Sequence, residues 1–484
     1  MSRVLDNIEP REVFKYFEDI SMIPRPSNDE KRISDYLMNF AKELGIEVVQ
    51  DKSLNIYMRK PATNGYENGK TVILQGHMDM VCEKNEGIDH DFYKDPLKLR
   101  IIEDKIYATD TTLGADNGIA VAYIMAIMAS KDIEHPEIEA LITVGEETSM
   151  VGAKSFEPKF FRGKYLINID SVDDSNLLVS CAGGLRAIVM KKVTTEELNG
   201  CVISIKVKGL RGGHSGIDIN KERGNANKIL SRILINVEKN YSNINIVSIS
   251  GGAKDNAIPR EAKCEIRVDK EDIDNVILSI KSAEDVIRGE LEGEENFFVE
   301  VFKEDIPLRP DMINSKDSKD LIELMYLMPN GIISNSVDIE GLVVTSNNFG
   351  VIEYDGETVI LKNAVRSSIG SAMYNVAREI DVLSRAFRAV TKESSPYPGW
   401  KYEKDSKLRD ISQEAYREIF DGEMGIYAIH AGVECGIIKE KLPDLDMVSF
   451  GPLVKDNHTP GEWVSISSTG KVWTLLKGIL KKIK

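Results

Sequence analysis

The sequence lacks several features that mark other classes of protein. None of its 484 residues lies in an uninterrupted apolar run of the roughly 18 residues that a membrane span needs, so we expect no membrane association. The five cysteines are scattered and form no C-x-x-C pair, which argues against a thiolate zinc site and a disulfide framework. Acidic residues outnumber basic ones by 78 to 62, and the resulting net charge of −16 disfavours nucleic acid as a partner. With no signal-peptide pattern at the N-terminus, we expect a cytoplasmic protein.

The chain is too long for one hydrophobic core, so two or more domains are expected. Strand-like runs at 71–74, 138–144 and 165–169 alternate with helical stretches, which indicates a mainly parallel α/β sheet. From 201 to 302 the order becomes β-α-β-β-α-β, typical of a ferredoxin-like unit, and 321–387 resembles a weaker second copy. After a turn-rich linker at 394–400 the α/β pattern returns. We therefore predict an α/β domain formed by 1–185 and 396–484, interrupted by an α+β ferredoxin-like domain, possibly duplicated, at 186–395.

Two local sequence signals mark the start and the end of a predicted helix near the N-terminus. Ser27 and Glu30 have the spacing of a capping box and precede an amphipathic stripe from Ile33 to Leu44. Gly45 is expected to end that helix.

Polar residues follow the first predicted strand. Gly76 is expected to turn the chain at the end of the run 71–74, and His77 and Asp79 come next. The imidazole suits a metal ion and the carboxylate suits the task of orienting the ring, although the pair could equally be a hydrogen-bonded loop. Asp116, just before an apolar helix at 118–129, is either a helix cap or a carboxylate that bridges two cations.

The other connections of the α/β domain carry similar residues. Glu146 and Glu147 follow the strand 138–144, where they are either solvated or divided between a metal ligand and a general base. Asp170 ends the run 165–169, and His458 follows a strand at 447–450; each is either an ordinary loop residue or a ligand. Taken together, nitrogen and oxygen donors without sulfur suit a catalytic zinc, cobalt or manganese site. Five ligands with one bridging carboxylate predict a centre of two cations roughly 3.5–4 Å apart.

At the level of motifs, the sequence resembles the co-catalytic zinc peptidase superfamily that includes carnosinases, and within it the aminoacyl-histidine dipeptidase branch. The stretches that carry the resemblance span essentially the whole chain: Gly76-His-Met-Asp-Met, Thr111-Thr-Leu-Gly-Ala-Asp-Asn-Gly, Gly145-Glu-Glu, Asn168-Ile-Asp, Cys181-Ala-Gly-Gly, His430-Ala-Gly-Val-Glu-Cys-Gly and Asn457-His-Thr-Pro-Gly-Glu.

The resemblance implies a role for each candidate in the α/β domain. His77 and Asp170 would bind one metal ion, Glu147 and His458 the other, and Asp116 would bridge them. Asp79 would orient His77, and Glu146 would be the general base that activates a metal-bridging water. The resemblance also implies a cis peptide bond between Asp116 and Asn117, and two divalent ions, with zinc as first choice and cobalt or manganese as alternatives.

The resemblance implies that the inserted domain is a lid over the active site. His214 of this domain is the expected hydrogen-bond donor to the oxyanion, and it would come either from the same chain or from the partner in a dimer. Asn256 is a second candidate for that task. His430 and Glu434, near a helix start that could bind the substrate terminus, are either substrate-binding or structural.

The function that this implies is hydrolysis of dipeptides, both Xaa-His and broader Xaa-Xaa substrates, by a monomer or homodimer. Two alternatives use the same metal centre: a tripeptide aminopeptidase and an N-acyl amino acid deacylase. A third is a catalytically silent scaffold, which the retention of Glu146 and all five ligands argues against.

Overall fold

The computed structural model describes residues 3–241, 243–304 and 309–484. They form two compact units. The first contains the chain up to Ser180 together with Tyr402–Ala428 and Ile437–Lys484, and the second contains Cys181–Lys401 and Ile429–Gly436. The divisions thus fall at 180/181 and 401/402 rather than at 185/186 and 395/396. The return of 429–436 to the second unit was not predicted from the sequence.

The secondary structure of the described residues alternates between strands and helices through much of the chain. The helices are α1 (Arg11–Ser21), α2 (Lys31–Leu44), α3 (Ala115–Ala129), α4 (Val151–Ser155), α5 (Ala226–Asn240), α6 (Ile273–Glu290), α7 (Ser315–Leu327), α8 (Gly370–Ala386), α9 (Lys407–Phe420), α10 (Glu434–Lys441) and α11 (Ile466–Lys482). The strands are β1 (Glu47–Gln50), β2 (Ile56–Lys60), β3 (Val72–His77), β4 (Leu99–Ile102), β5 (Lys105–Ala108), β6 (Ile138–Thr143), β7 (Tyr165–Asn168), β8 (Asn176–Cys181), β9 (Gly183–Lys192), β10 (Thr195–Glu197), β11 (Cys201–Lys208), β12 (Gly213–His214), β13 (Asn245–Gly251), β14 (Ala257–Ile258), β15 (Ala262–Val268), β16 (Phe298–Glu304), β17 (Asp311–Ile313), β18 (Gly331–Asn335), β19 (Val343–Tyr354), β20 (Thr358–Ser367), β21 (Val390–Tyr397), β22 (Gly425–Ile429), β23 (Asp446–Ser449), β24 (Val454–Lys455) and β25 (Trp463–Ser465).

The first unit is built on a sheet with the strand order β1-β2-β6-β3-β7-β23-β8-β22. The four central strands, β6, β3, β7 and β23, are parallel neighbours, as the sequence predicted. The flanking pairs β1–β2, β2–β6 and β23–β8 are antiparallel. β3, β6 and β7 are buried along their length and are mostly apolar, although β6 contains the buried Glu139. Their shared direction brings their C-terminal ends to one edge of the sheet.

Helix α2 differs from the prediction at its start. Its N-cap is Glu30 and no side chain caps it, so the predicted capping box between Ser27 and Glu30 is wrong. Ser27 instead donates its hydroxyl hydrogen to Asp79, 2.8 Å away, and this long-range contact replaces the local one. The predicted end is confirmed, because Gly45 is a C-cap with φ +70°, in the left-handed region that glycine adopts without strain.

The second unit contains the predicted ferredoxin-like fold and a second copy of it. The β-α-β-β-α-β run from β11 to β16 has the strand order β16-β11-β15-β13. The remaining half of the same sheet is ordered β19-β20-β9-β21, which is the same arrangement for the elements β9, α7, β19, β20, α8 and β21. The pair β13–β19 joins the two halves. The ferredoxin-like unit is thus duplicated. The first strand of the second copy, β9, precedes the whole first copy in the chain.

Two strands of the second copy escaped the sequence analysis. The segment assigned to a turn-rich linker, 394–400, overlaps strand β21, which pairs antiparallel with β9. Strand β9 itself begins at Gly183, before the predicted start of the inserted domain. Within the described residues, no helix combines the length and apolar character needed to cross a membrane.

Candidate metal centre

The residues predicted at the strand ends converge at one edge of the first unit's sheet. His77 is the last residue of β3, Glu146 and Glu147 follow β6, and Asp170 follows β7. Asp116 lies in the first turn of α3, where the backbone departs from helical geometry, and the Asp116–Asn117 peptide is cis, as expected. His458 is in the loop between β24 and β25.

Two groups of potential ligands share Asp116. His77 Nε2 lies 3.2 Å from Asp116 Oδ1 and 3.5 Å from Asp170 Oδ1. On the other side, His458 Nε2 lies 3.1 Å from the Glu147 carboxylate and 3.7 Å from Asp116 Oδ2. Within each group the donor atoms all lie within 4.8 Å of one another. The structure therefore gives Asp116 one oxygen toward each group, the arrangement of a bridging carboxylate.

The electrostatics of the cluster show an excess of negative charge. Burial favours neutral His77, yet the carboxylates of Asp170 and Asp116 outweigh burial and raise the pKa of His77 well above its usual value. Hydrogen bonds that His458 donates to the carboxylates of Asp116 and Glu147 raise its pKa to about 10. Burial, reinforced by the charges of Asp116 and Glu147, raises the pKa of Asp170 to about 6. These shifts all favour bound positive charge, and divalent cations would supply it in place of protons.

The donor set fits divalent metal ions. Each group offers imidazole nitrogen and carboxylate oxygen without sulfur, a combination suited to zinc, cobalt or manganese in a catalytic site. Glu146 forms a third group with His77 and Glu147 whose donor atoms are again within 4.8 Å of one another. A carboxylate therefore stands beside both candidate cation positions.

Asp79 contacts both a candidate metal ligand and the loop that carries the two glutamates. Its Oδ1 lies 3.3 Å from His77 Nδ1 and accepts the N–H of Glu146 at 3.1 Å. Its Oδ2 accepts the N–H of Glu147 and the Ser27 hydroxyl. Burial opposes the charged form, but the contacts with His77, Ser27 and Glu146 outweigh it and lower the pKa of Asp79 to about 2. One buried carboxylate thus fixes a ligand ring and the loop that carries the two glutamates.

Asn117, at the start of α3, connects two of the strand-end segments. Its Oδ1 accepts the N–H of His77 at 3.1 Å, and its Nδ2 donates to the carbonyl of Ile169 at 2.8 Å. Gly76 makes this approach possible, because a Cβ there would lie 2.5 Å from Asn117 Oδ1. The predicted turn at Gly76 is wrong, since this residue lies within β3 and its role is to leave room.

Glu462 is the main residue that sequence reasoning left without a role. Its buried carboxylate accepts the backbone N–H groups of Leu113, Gly114 and Ala115 at 2.8–2.9 Å and of Asp116 at 3.3 Å. It therefore fixes the turn that presents Asp116. The sequence contained an indication of this role, because Glu462 is the last residue of the motif that contains His458. Asn457, also in that motif, donates to Asp116 Oδ2 at 2.7 Å.

Replacing Asp79 by Asn is expected to weaken metal binding by about 10–100-fold, because partners behind a ligating histidine set its orientation and basicity. Metal titration of the purified variant measures the effect. Ser27→Ala removes one hydrogen bond to the same carboxylate and is the matched control, with a smaller loss expected. Equal metal affinity in Asp79→Asn and the unaltered protein would contradict this role.

In the second unit, His214 is held with a defined tautomer. It lies in β12, which pairs with β14, and its backbone N–H donates to Asp218. Its Nδ1 accepts the N–H groups of Gly216 at 3.2 Å and Ile217 at 3.1 Å. Burial and the nearby charge of Arg366 lower the pKa of His214, so the ring is neutral and carries its proton on Nε2.

The other predicted residues of this unit have different surroundings. Asn256 is exposed, and its carbonyl accepts the N–H of Ser215. His430 is buried, with Nε2 2.7 Å from the Ser346 hydroxyl, and burial together with Arg366 lowers its pKa to about 3. Glu434 is fully buried at the start of α10. Arg366, which the sequence analysis did not single out, is buried and donates to the hydroxyl of Tyr397.

The fold and the site define an α/β protein with a candidate two-cation centre at the carboxyl ends of parallel strands and a duplicated ferredoxin-like unit within the chain. Residues 73–482 match the model of Peptidase family M20/M25/M40, and the chain belongs to this family.

Similar proteins cover the chain almost end to end. The cytosol non-specific dipeptidase of Escherichia coli is 36% identical over 482 residues, which is 99% of each chain. The crystal structure of aminoacylhistidine dipeptidase from Vibrio alginolyticus is 36% identical, covers 99% of this chain and 98% of its own, and superposes with a TM-score of 0.95. Aminopeptidase PepT from Bacillus cereus is 17% identical with a TM-score of 0.57 over 98% of this chain and 99% of its own, a likeness of fold.

Proposed function

We propose that this protein hydrolyses dipeptides, Xaa-His and other Xaa-Xaa substrates, with two divalent metal ions. The observation that carries the proposal is the pair of ligand groups sharing Asp116, with Glu146 beside them. The 36% identity to a non-specific dipeptidase along 99% of both chains supports the choice of substrate. In keeping with that relative, we propose a cytoplasmic location.

His77, Asp116 and Asp170 would hold one ion, and Asp116, Glu147 and His458 the other. We propose zinc, with cobalt or manganese as alternatives, because all three accept imidazole and carboxylate donors. Bound there, the ions supply Lewis acidity, which lowers the pKa of water and polarises a carbonyl.

Glu146 would move the protons of the reaction. Its carboxylate takes a proton from the attacking water as the new C–O bond forms, which leaves a tetrahedral oxyanion. When the C–N bond breaks, the same group delivers that proton to the leaving amine nitrogen. Asp79 supports this role, because it accepts the backbone N–H of Glu146 and thereby positions the loop.

His214 would donate to the oxyanion. Since its Nδ1 accepts two backbone N–H groups, the ring proton lies on Nε2, from which it can be donated to a substrate oxygen. A neutral, preorganised donor of this kind stabilises charge that develops in the transition state.

A panel of substrates tests the proposal. The metal-reconstituted protein is assayed with β-Ala-His, Gly-His, Leu-Gly, a tripeptide and an acetyl amino acid. We expect cleavage of the three dipeptides. Turnover of the acetyl amino acid alone would identify a deacylase, and turnover of the tripeptide alone an aminopeptidase; either result would overturn the dipeptidase proposal.

Replacing His214 by Gln is expected to lower kcat by about 10²–10³-fold with little change in KM, the range found when one oxyanion donor is removed. Steady-state kinetics on a dipeptide measure both constants. His90→Gln, a histidine outside the metal centre and the His214 loop, is the matched control. An unchanged kcat in His214→Gln with full metal content would exclude the role.

A further inference from the structure

A basic cavity lies on one face of the sheet in the second unit. It has a volume of about 870 Å³ and is bordered by β11, β13, β15 and the loop before β15. Among its described lining residues, Glu261 supplies the only carboxylate, against six cationic side chains: Lys206, Lys208, Arg211, Lys254, Arg260 and Lys263. This concentration of positive charge contrasts with a chain whose net charge is −16.

At the floor of the cavity, positive charges face each other. Lys206 on β11 is directly opposite Lys263 on β15 in the antiparallel register, and like charges so placed destabilise a sheet. Lys263 is paired with Glu265 at 2.7 Å, whereas Lys206 Nζ lies over the Phe302 ring, 4.8 Å from its centroid. The protein thus neutralises one member of the pair and leaves the other beside an aromatic ring.

Lys254 and Arg260 lie at the rim, and both are exposed. Over the described part of the chain, neither forms an ion pair. Their charges are therefore available to a ligand from solution. Because they are exposed, they can also be replaced without disturbing the hydrophobic core beneath the sheet.

We propose that this cavity binds a multivalent anion built on a chain of phosphate groups. Lysine and arginine are the side chains that bind phosphate oxygens through charge-assisted hydrogen bonds. The volume is in the range of small-molecule sites. Lys208 is paired with Glu300 at 3.2 Å, as Lys263 is with Glu265, so four of the six cations have no carboxylate partner among the described residues and call for several negative charges on the ligand. The lining also includes Gly213 and Ala257 of the β12–β14 pair that holds His214, but the proposed binding rests on the cationic side chains and not on the metal ligands.

Calorimetric titration at constant ionic strength tests the site. Inorganic tripolyphosphate and ATP are the probes. Orthophosphate, which has a single phosphate group, is the comparison. We expect tripolyphosphate to bind at least tenfold more tightly than orthophosphate. Equal affinity for tripolyphosphate and ATP shows that the phosphate chain alone is bound, whereas tighter binding of ATP shows that the nucleoside adds contacts.

The double variant Lys254→Ser/Arg260→Ser is expected to lose at least tenfold in affinity for tripolyphosphate. Lys239→Ser/Lys270→Ser removes the same charge from exposed positions outside the cavity and is expected to leave the affinity within twofold. The comparison also separates the cavity from chelation at the metal centre, which neither variant alters. Equal affinities in both variants and the unaltered protein, or equal losses in the two variants, would overturn the proposal.

Discussion

Glu146→Gln is expected to lower kcat for a dipeptide by about 10²–10⁴-fold, the contribution of a positioned general base. The substitution keeps the side chain's size and removes its ability to accept a proton from water. The backbone N–H of residue 146 still donates to Asp79, so the loop and the neighbouring Glu147 keep their support. Metal content and thermal unfolding should therefore match those of the unaltered protein.

The matched control is Glu157→Gln, an exposed glutamate of the same unit whose ion-pair partner is Lys159. It is expected to retain full turnover. If Glu146→Gln kept kcat within a few-fold while binding two metal ions, the proton-transfer role would have to be assigned elsewhere.

Asp116→Asn is expected to abolish turnover by removing the carboxylate that both ligand groups share. An amide keeps the shape but presents no negative oxygen to two cations at once. Metal analysis should show fewer than two ions per chain. In thermal unfolding, metal at 100 times its dissociation constant stabilises a protein by about 2.7 kcal/mol, and the variant should lose most of this gain.

Asp132→Asn, at an exposed aspartate outside the cluster, controls for the loss of one negative charge. It should keep two ions and the full metal-dependent stabilisation. Retention of two tightly bound ions in Asp116→Asn would rule out a bridging role for this residue.

The strand-end residues were predictable because parallel strands place their carboxyl ends together. His77, Glu147 and Asp170 could be assigned to one edge of a sheet from apolar runs alone. The contact of His458 with Glu147 and Asp116 was not accessible in this way, because it joins segments more than 300 residues apart. For His458 the expected partners came from the motif resemblance, because local sequence patterns carry no information on contacts between distant segments.

Local rules failed where a distant partner competed. Ser27 matched a capping box, yet it contacts Asp79, which lies 52 residues away. Glu462 was given no role from the sequence, yet it accepts four N–H groups of the Asp116 turn. Buried backbone donors need acceptors, and only the folded structure shows which side chain reaches them.

The second ferredoxin-like copy was only partly recognised, because its strands are not consecutive. β9 precedes the first copy, and the end of β21 lies in the segment 394–400, which was interpreted as a linker on account of its serines and prolines. Periodicity describes each strand separately. It carries no information on which strands share a sheet.

The position of β9 has a consequence for biosynthesis. The first copy is contiguous in the chain, so its strands can pair as soon as β16 has left the ribosome. Strand β9 is synthesised earlier but must wait for β20 and β21; the Asn363 side chain that donates to the Ala187 carbonyl lies 176 residues further along. Closing so long a loop is slow and leaves a strand edge exposed meanwhile. During translation, completion of this sheet therefore depends on keeping the early strand from pairing with other chains.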